Sequence, residues 1–269
     1  NIHEGVKMTV HRMSTIDDKL RDRYDEASPP LLAISKQLQR SITRQLQDQR
    51  RGGKQTGLYM GRRLDIHSLP RNDGRVFSKM SLPNETPELA LALLLDESGS
   101  MGCGSRATYA RASAIILYDF CQSLGIPVMV YGHSAYSGVE LYSYAEFDSI
   151  DKLDRYRLMD ISARGNNRDG AALRFVAEQL AKRPEDIRLL ILVSDGQPAD
   201  SGYYGTAAEE DLRGIKTEYR RKGICFVAAA IGDDKDSIER IYGDAYMDIS
   251  DLHTLPITLT NVVKRFIRT

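Results

Sequence analysis

The sequence predicts an α/β fold of Rossmann-like type, a mostly parallel central sheet with helices on both faces, preceded by a helical N-terminal extension. The apolar runs at 89–95, 127–132, 187–194 and 224–231 are nearly continuous, so strands built from them have no wet face. Amphipathic segments at 106–123, 170–182, 207–222, 234–241 and 251–267 alternate with those runs. Crossover helices between parallel strands are the economical way to join such a pattern, and they are right-handed.

Taken in order, the 269 residues divide into a helical extension over 1–56, an extended connector over 57–87 and the α/β domain over 88–269. In the first part, Leu31, Ile34, Leu38, Ile42 and Leu46 recur at helical spacing after Ser28, which reads as the cap, with Pro29 and Pro30 in the first turn. The pair Gly52-Gly53 ends that periodicity. Residues 36–63 hold eight basic side chains against the single acid Asp48, a pattern that reads as a solvated helix face and linker, with an anionic partner surface as the alternative. The connector is rich in Gly, Pro, Asn and Arg, and Leu58, Tyr59 and Leu64 are its candidate anchors on the following domain. Within the domain, Val139–Tyr144 follows the turn His133–Gly138 closely enough to form an antiparallel edge hairpin.

Composition excludes several classes. Lysine plus arginine equal aspartate plus glutamate at 37 each, so no global field draws the chain to nucleic acid or to an anionic membrane. No apolar stretch reaches the roughly 18 residues of a membrane span, and the start lacks a secretory apolar core. Cys103, Cys121 and Cys225 are too few and scattered for a disulfide framework, which fits a cytoplasmic setting. Because the first residue is Asn, the chain reads as the C-terminal piece of a longer polypeptide.

Function is sought where three loops meet the carboxyl ends of the strands, the edge at which open α/β sheets bind ligands. The first loop carries Asp96, Ser98 and Ser100, oxygen donors on alternate positions that suit a hard cation such as Mg²⁺. The second, Gly165 to Gly170, carries Asn167 and Asp169, which an Asx turn before a helix also explains. The third, Ser194-Asp195-Gly196-Gln197-Pro198, supplies Asp195. Enzyme motifs fail on particular residues. Ser98 stands where a nucleophile elbow needs glycine, and Ser105 follows Gly104 where a phosphate loop needs lysine. An aspartyl phosphatase would need a second carboxylate beside Asp96 in Asp-x-Ser, and none is there. His133 reads as an ordinary loop histidine, Cys103 as either exposed or tucked under the loop, Tyr203 and Tyr204 as an aromatic rim, and Asp233-Asp234 as a helix cap.

Asp-x-Ser-x-Ser after the first strand and Ser-Asp-Gly after a later one resemble the metal-ion-dependent adhesion site of von Willebrand factor A domains, over residues 88–269. The resemblance implies metal ligation by Asp96, Ser98, Ser100 and Asp195, with Asn167 in the place of the family's threonine and Asp169 two residues on. Asn167 to Leu173 and Gly61 to Asp65 are similar to the C-terminal region of the cobaltochelatase subunit that carries such a domain, and to nitric-oxide-reductase activation proteins. That likeness implies a divalent cation (Mg²⁺, with Mn²⁺ or Ca²⁺ as alternatives), a protein partner offering an acidic side chain, and a MoxR-like AAA+ ATPase alongside. It implies a binding module without intrinsic catalysis. The alternatives are a chelatase subunit acting directly in metal insertion and an adhesive or scaffold module with no ATPase.

Overall fold

The computed structural model describes all residues except 1, 51–52, 61–62, 72–73, 82–87, 150, 197, 232–234, 250 and 268–269. The expectations placed on the Leu46 side chain, on Gly52 as helix end, on Gly61-Arg62, on Gln197 and on Asp233-Asp234 lie outside the described residues. The chain forms two compact units, residues 1–39 with 88–269, and residues 40–87.

In the larger unit the strands are β1 (Met8–Arg12), β5 (Leu89–Asp96), β6 (Val128–Ala135), β7 (Val139–Ala145), β8 (Ile187–Ser194), β11 (Ile224–Ala230) and β12 (Tyr246–Asp248), and they make one sheet in the order β1-β7-β6-β5-β8-β11-β12. The smaller unit holds β2 (Gly53–Leu58), β3 (Arg63–Leu64) and β4 (Phe77–Ser81), and β9 (Ala199–Asp200) with β10 (Tyr203–Tyr204) form a two-stranded ribbon. The helices are α1 (Asp18–Arg50), α2 (Arg106–Leu124), α3 (Asp154–Arg157), α4 (Asp169–Ala181), α5 (Gly205–Arg221), α6 (Lys235–Tyr242) and α7 (Leu255–Ile267).

Every residue of β5 is buried, as expected of a run apolar on both sides at the centre of a sheet. Its even positions, Ala90, Ala92 and Leu94, join a core with Leu173, Val176 and Leu180 of α4, Leu212 and Ile215 of α5 and Ile238 of α6. α2 packs on β5 and β6. Neighbouring strands run parallel except β6 and β7, whose hairpin is antiparallel. The mostly parallel α/β architecture predicted from the apolar runs is what the chain forms.

Four expectations need correction. β7 is no edge, because Met8–Arg12 pairs with it in parallel from outside. The sequence hides β1, whose five residues are exposed apart from half-buried Thr9 and show no apolar run. The first helix begins at Asp18, ten residues before Ser28, and runs through both prolines. Pro29 and Pro30 sit on its exposed side, where water can hydrate the carbonyls left without helical donors. Tyr24, packed edge-on against Tyr156 at 5.4 Å, and Ser35, whose hydroxyl donates to Asp119 at 2.6 Å, hold the helix on either side of that weak point. Third, residues 53–81 carry a three-stranded antiparallel sheet and a short 3-10 turn over Ile66–Arg71, so the segment has structure of its own. Tyr59 and Leu64 are exposed there. Fourth, His133 belongs to β6, as developed below.

Residues preceding β1 are fixed by the second loop. Arg168 donates to the Ile2 carbonyl at 2.9 Å and to Asp200 at 3.0 Å, and His3 Nε2 lies 2.8 Å from Asp211 Oδ2. Arg168→Ala should therefore cost about 2 kcal/mol, since it strands the buried Asp200 carboxylate and two carbonyls, and a lowered denaturation midpoint in urea would register it.

Candidate functional site

The first loop leaves β5 at Asp96, whose side chain is 1% exposed. Its Oδ1 accepts the Ser98 N–H at 2.8 Å, which folds the loop back over the strand end. Its Oδ2 accepts the Asn167 amide at 2.9 Å and the Ser194 hydroxyl at 3.0 Å, so one carboxylate ties three loops together. Ser98 Oγ lies 2.9 Å from Ser100 Oγ, and the Ser100 hydroxyl donates to Asp195 Oδ1 at 3.0 Å. The six residues singled out from the sequence thus meet at one place, in two hydrogen-bonded strings that share the loop 96–100.

Asn167 is spoken for at both ends. Its amide reaches Asp96, and its carbonyl accepts the Asp169 N–H at 3.1 Å, an Asx turn that opens α4. The Asn166 and Ala135 backbones exchange two bonds at 2.8 Å, which seats the second loop on the end of β6.

His133 is not a loop residue. It lies on β6 with no exposure, and its Nε2 is 3.1 Å from Asp169 Oδ1, at ion-pair distance but off hydrogen-bond alignment. Burial disfavours its charged form, yet Asp169, then Asp96 and Glu97, outweigh that and raise its pKa. Burial, reinforced by Asp169, pushes the Asp96 carboxyl up to about 7, against the pull of His133 and the Ser98 N–H. The site is therefore crowded with carboxyl groups, and Asp169 Oδ1 is buried without a hydrogen-bond partner. Among the described residues no trio of His, Cys, Asp or Glu converges as a ready metal cage. A cation here would draw on mixed donors, carboxylate oxygens from Asp96 and Asp195 and hydroxyls from Ser98 and Ser100, which are hard ligands of the kind Mg²⁺ takes.

Sequence reasoning missed several participants. Arg106 Nη1 pairs with Asp195 Oδ2 at 2.8 Å. Glu97, passed over between Asp96 and Ser98, is 1% exposed and accepts from Tyr144 and from Arg164 Nε, each at 2.5 Å. Burial raises its pKa against both partners. No local signal marked Glu97, which stands between the polar Asp96 and Ser98 just beyond β5. The two tyrosines expected to form an aromatic rim differ in burial. Tyr204 is exposed, but Tyr203 is fully buried and donates to Asp211 at 2.9 Å. Cys103 is exposed.

The chain has the sheet order, crossovers and loop cluster described above, and a family model for the von Willebrand factor type A domain matches residues 90–249. The chain belongs to that family. Among curated relatives, YojO of Bacillus subtilis is 22% identical over 91% of this chain and 40% of its own length. Protein NorD of Brucella melitensis is 25% identical over 64% of this chain and 25% of its own length. A Pseudomonas aeruginosa protein, PA0525, is 29% identical over 58% of this chain and 26% of its own length. The chain thus spans well under half the length of these relatives. Among solved structures, the vWF domain of the pili tip protein Mfa5 from Porphyromonas gingivalis superposes with a TM-score of 0.51 at 11% identity, covering 68% of this chain and 96% of that one. The pilus adhesin SpaC of Lactobacillus rhamnosus GG gives 0.51 at 16% identity, covering 69% of this chain and 30% of its own. At these identities the A-type likeness is one of fold. Among the described residues no helix of the A-type chain is long and apolar enough to cross a membrane.

Proposed function

We propose that the loop cluster is a metal-ion-dependent adhesion site and that the A-type domain is a divalent-cation-dependent protein-binding module. The supporting observation is that Ser98, Ser100 and Asp195, from segments about a hundred residues apart, form one string of hard oxygen donors, which the Ser98 N–H ties to Asp96. Bound Mg²⁺ would supply a Lewis-acid position able to accept an oxygen from outside. Asp96 and Asp195 contribute the negative charge, while Ser98 and Ser100 add neutral donors and leave that charge incompletely balanced. Asn167 orients Asp96 through its amide, and Asp169 with His133 supports the loop from below. An aspartate or glutamate of a protein partner is the ligand such a face recognises. We further propose that the module works beside a MoxR-like AAA+ ATPase, in protein-complex remodelling or metal insertion, as the resemblance of Asn167 to Leu173 to nitric-oxide-reductase activation proteins implies.

Titrating the chain with Mn²⁺ and following free ion by electron paramagnetic resonance tests this reading. Wild type should bind one ion, and Ser98→Ala should bind it about tenfold more weakly with an unchanged melting temperature. Equal uptake by the two proteins, or none by wild type at millimolar Mn²⁺, would refute it. Affinity capture with and without chelator addresses the partner, since recovery of an AAA+ ATPase must depend on the divalent cation.

A further inference from the structure

We propose that Arg106 makes this site selective for acidic ligands: it competes with the divalent cation for Asp195 and then supplies a second contact to the incoming carboxylate. The proposal rests on the cation-site reading above. Both Asp195 oxygens are engaged, Oδ1 by the Ser100 hydroxyl at 3.0 Å and Oδ2 by Arg106 Nη1 at 2.8 Å. A cation drawing on Asp195 must therefore share that carboxylate with a fixed positive charge. The Asp195 side chain is 4% exposed and that of Arg106 16%, so the guanidinium stands on the outward side of the pair.

The backbone holds Arg106 there by a strained route. Among the described residues Ser105 alone is a non-glycine residue with positive φ, at 65°, following Gly104 at 56°. This left-handed pair turns the chain sharply between the 3-10 turn Gly99–Gly102 and the first residue of α2, which is Arg106. Strain of this kind persists where the surroundings over-determine it, and it concentrates at sites whose geometry matters. Arg168 pairs with Asp200, and Arg164 with Glu97 and Asp160.

Two consequences of opposite sign follow. A guanidinium close to the cation lowers cation affinity by repulsion. The same planar fork favours a ligand that places one carboxylate oxygen on the cation and the other on the arginine, and it offers nothing to a neutral amide.

The test uses the full chain, Mn²⁺ as the ion and glutarate as the acidic probe, with wild type, Arg106→Gln and Arg106→Lys. Removing the charge in Arg106→Gln should tighten Mn²⁺ binding about fivefold to tenfold, while Arg106→Lys stays near wild type. On the Mn²⁺-loaded proteins, glutarate displaces metal-bound water and lowers the water-proton relaxation enhancement. Its half-effect concentration should rise about tenfold in Arg106→Gln, and glutaramide should be inert throughout. Both variants keep good helix formers at the start of α2, so the fold is preserved. A wild-type chain that takes up no Mn²⁺ overturns the cation-site reading itself. If wild type takes up Mn²⁺ but Arg106→Gln binds it no tighter, or answers glutarate as wild type does, the role of Arg106 alone is overturned.

Discussion

Asp96→Asn should abolish uptake of a divalent cation and at the same time remove a pH dependence from the stability of the cation-free protein. The first effect follows from deleting the charge at the centre of the three-loop junction, where Asp96 accepts from Ser98, Asn167 and Ser194. The second follows from its pKa, which rises from the ordinary 3.8 to about 7 through burial and the nearby Asp169. A carboxyl whose folded value is raised binds its proton more tightly in the folded state. Its contribution is then fully present below about pH 4 and is lost as pH climbs towards 7. His133, also raised, acts with the same sign, because an imidazolium held by carboxylates is lost as pH rises through its folded value. Melting temperatures of the wild-type protein in chelator should therefore fall between pH 4 and 7, and added Mg²⁺ should flatten that slope. In Asp96→Asn the slope should be shallow with or without Mg²⁺. The slope is the informative quantity, since the new NH₂ must face one of three donors and costs about 1–3 kcal/mol at any pH. Identical slopes in the two proteins would show that Asp96 does not carry this linkage.

Gly132→Ala should be strongly destabilising. A Cβ at Gly132 collides with Glu97 Oε1 and lies 3.0 Å from the Tyr144 ring. Glu97 cannot retreat without giving up Tyr144 and Arg164, and a buried carboxylate parted from its partners costs about 3–5 kcal/mol. For a domain of this size that is a fall of about 10 °C in melting temperature. Chemical denaturation would measure it, and combining Gly132→Ala with Glu97→Ala supplies the control. Because the two changes remove one contact, their costs should fall well short of adding. Additive costs would place the damage elsewhere than at Glu97.

The sequence spoke clearly where burial is two-sided. β5, β8 and β11 are legible because strands covered on both faces carry almost nothing but apolar residues. β1 and β12 are not, since an edge strand of three to five residues is held by backbone pairing that leaves no mark on side-chain pattern. Pro29 and Pro30 suggested a helix start on local preference, and tertiary contacts from Tyr24 and Ser35 overrode it. At the site, the ligand-type oxygens stood out because Asp and Ser are conspicuous after an apolar run. The residues that complete the charge arrangement, Arg106, His133 and Glu97, depend on distances across the sheet that no local spacing encodes.

The pairing of β1 with β7 also bears on how the chain is made. Met8 aligns with Val139, roughly 130 residues further along the chain, and the smaller unit lies between them. On a ribosome adding about 5–20 residues per second, β1 leaves the exit tunnel many seconds before its partner strand exists. The smaller unit, whose strands pair only with one another, can be complete during that wait. β1 thus waits unpaired until β7 has been made.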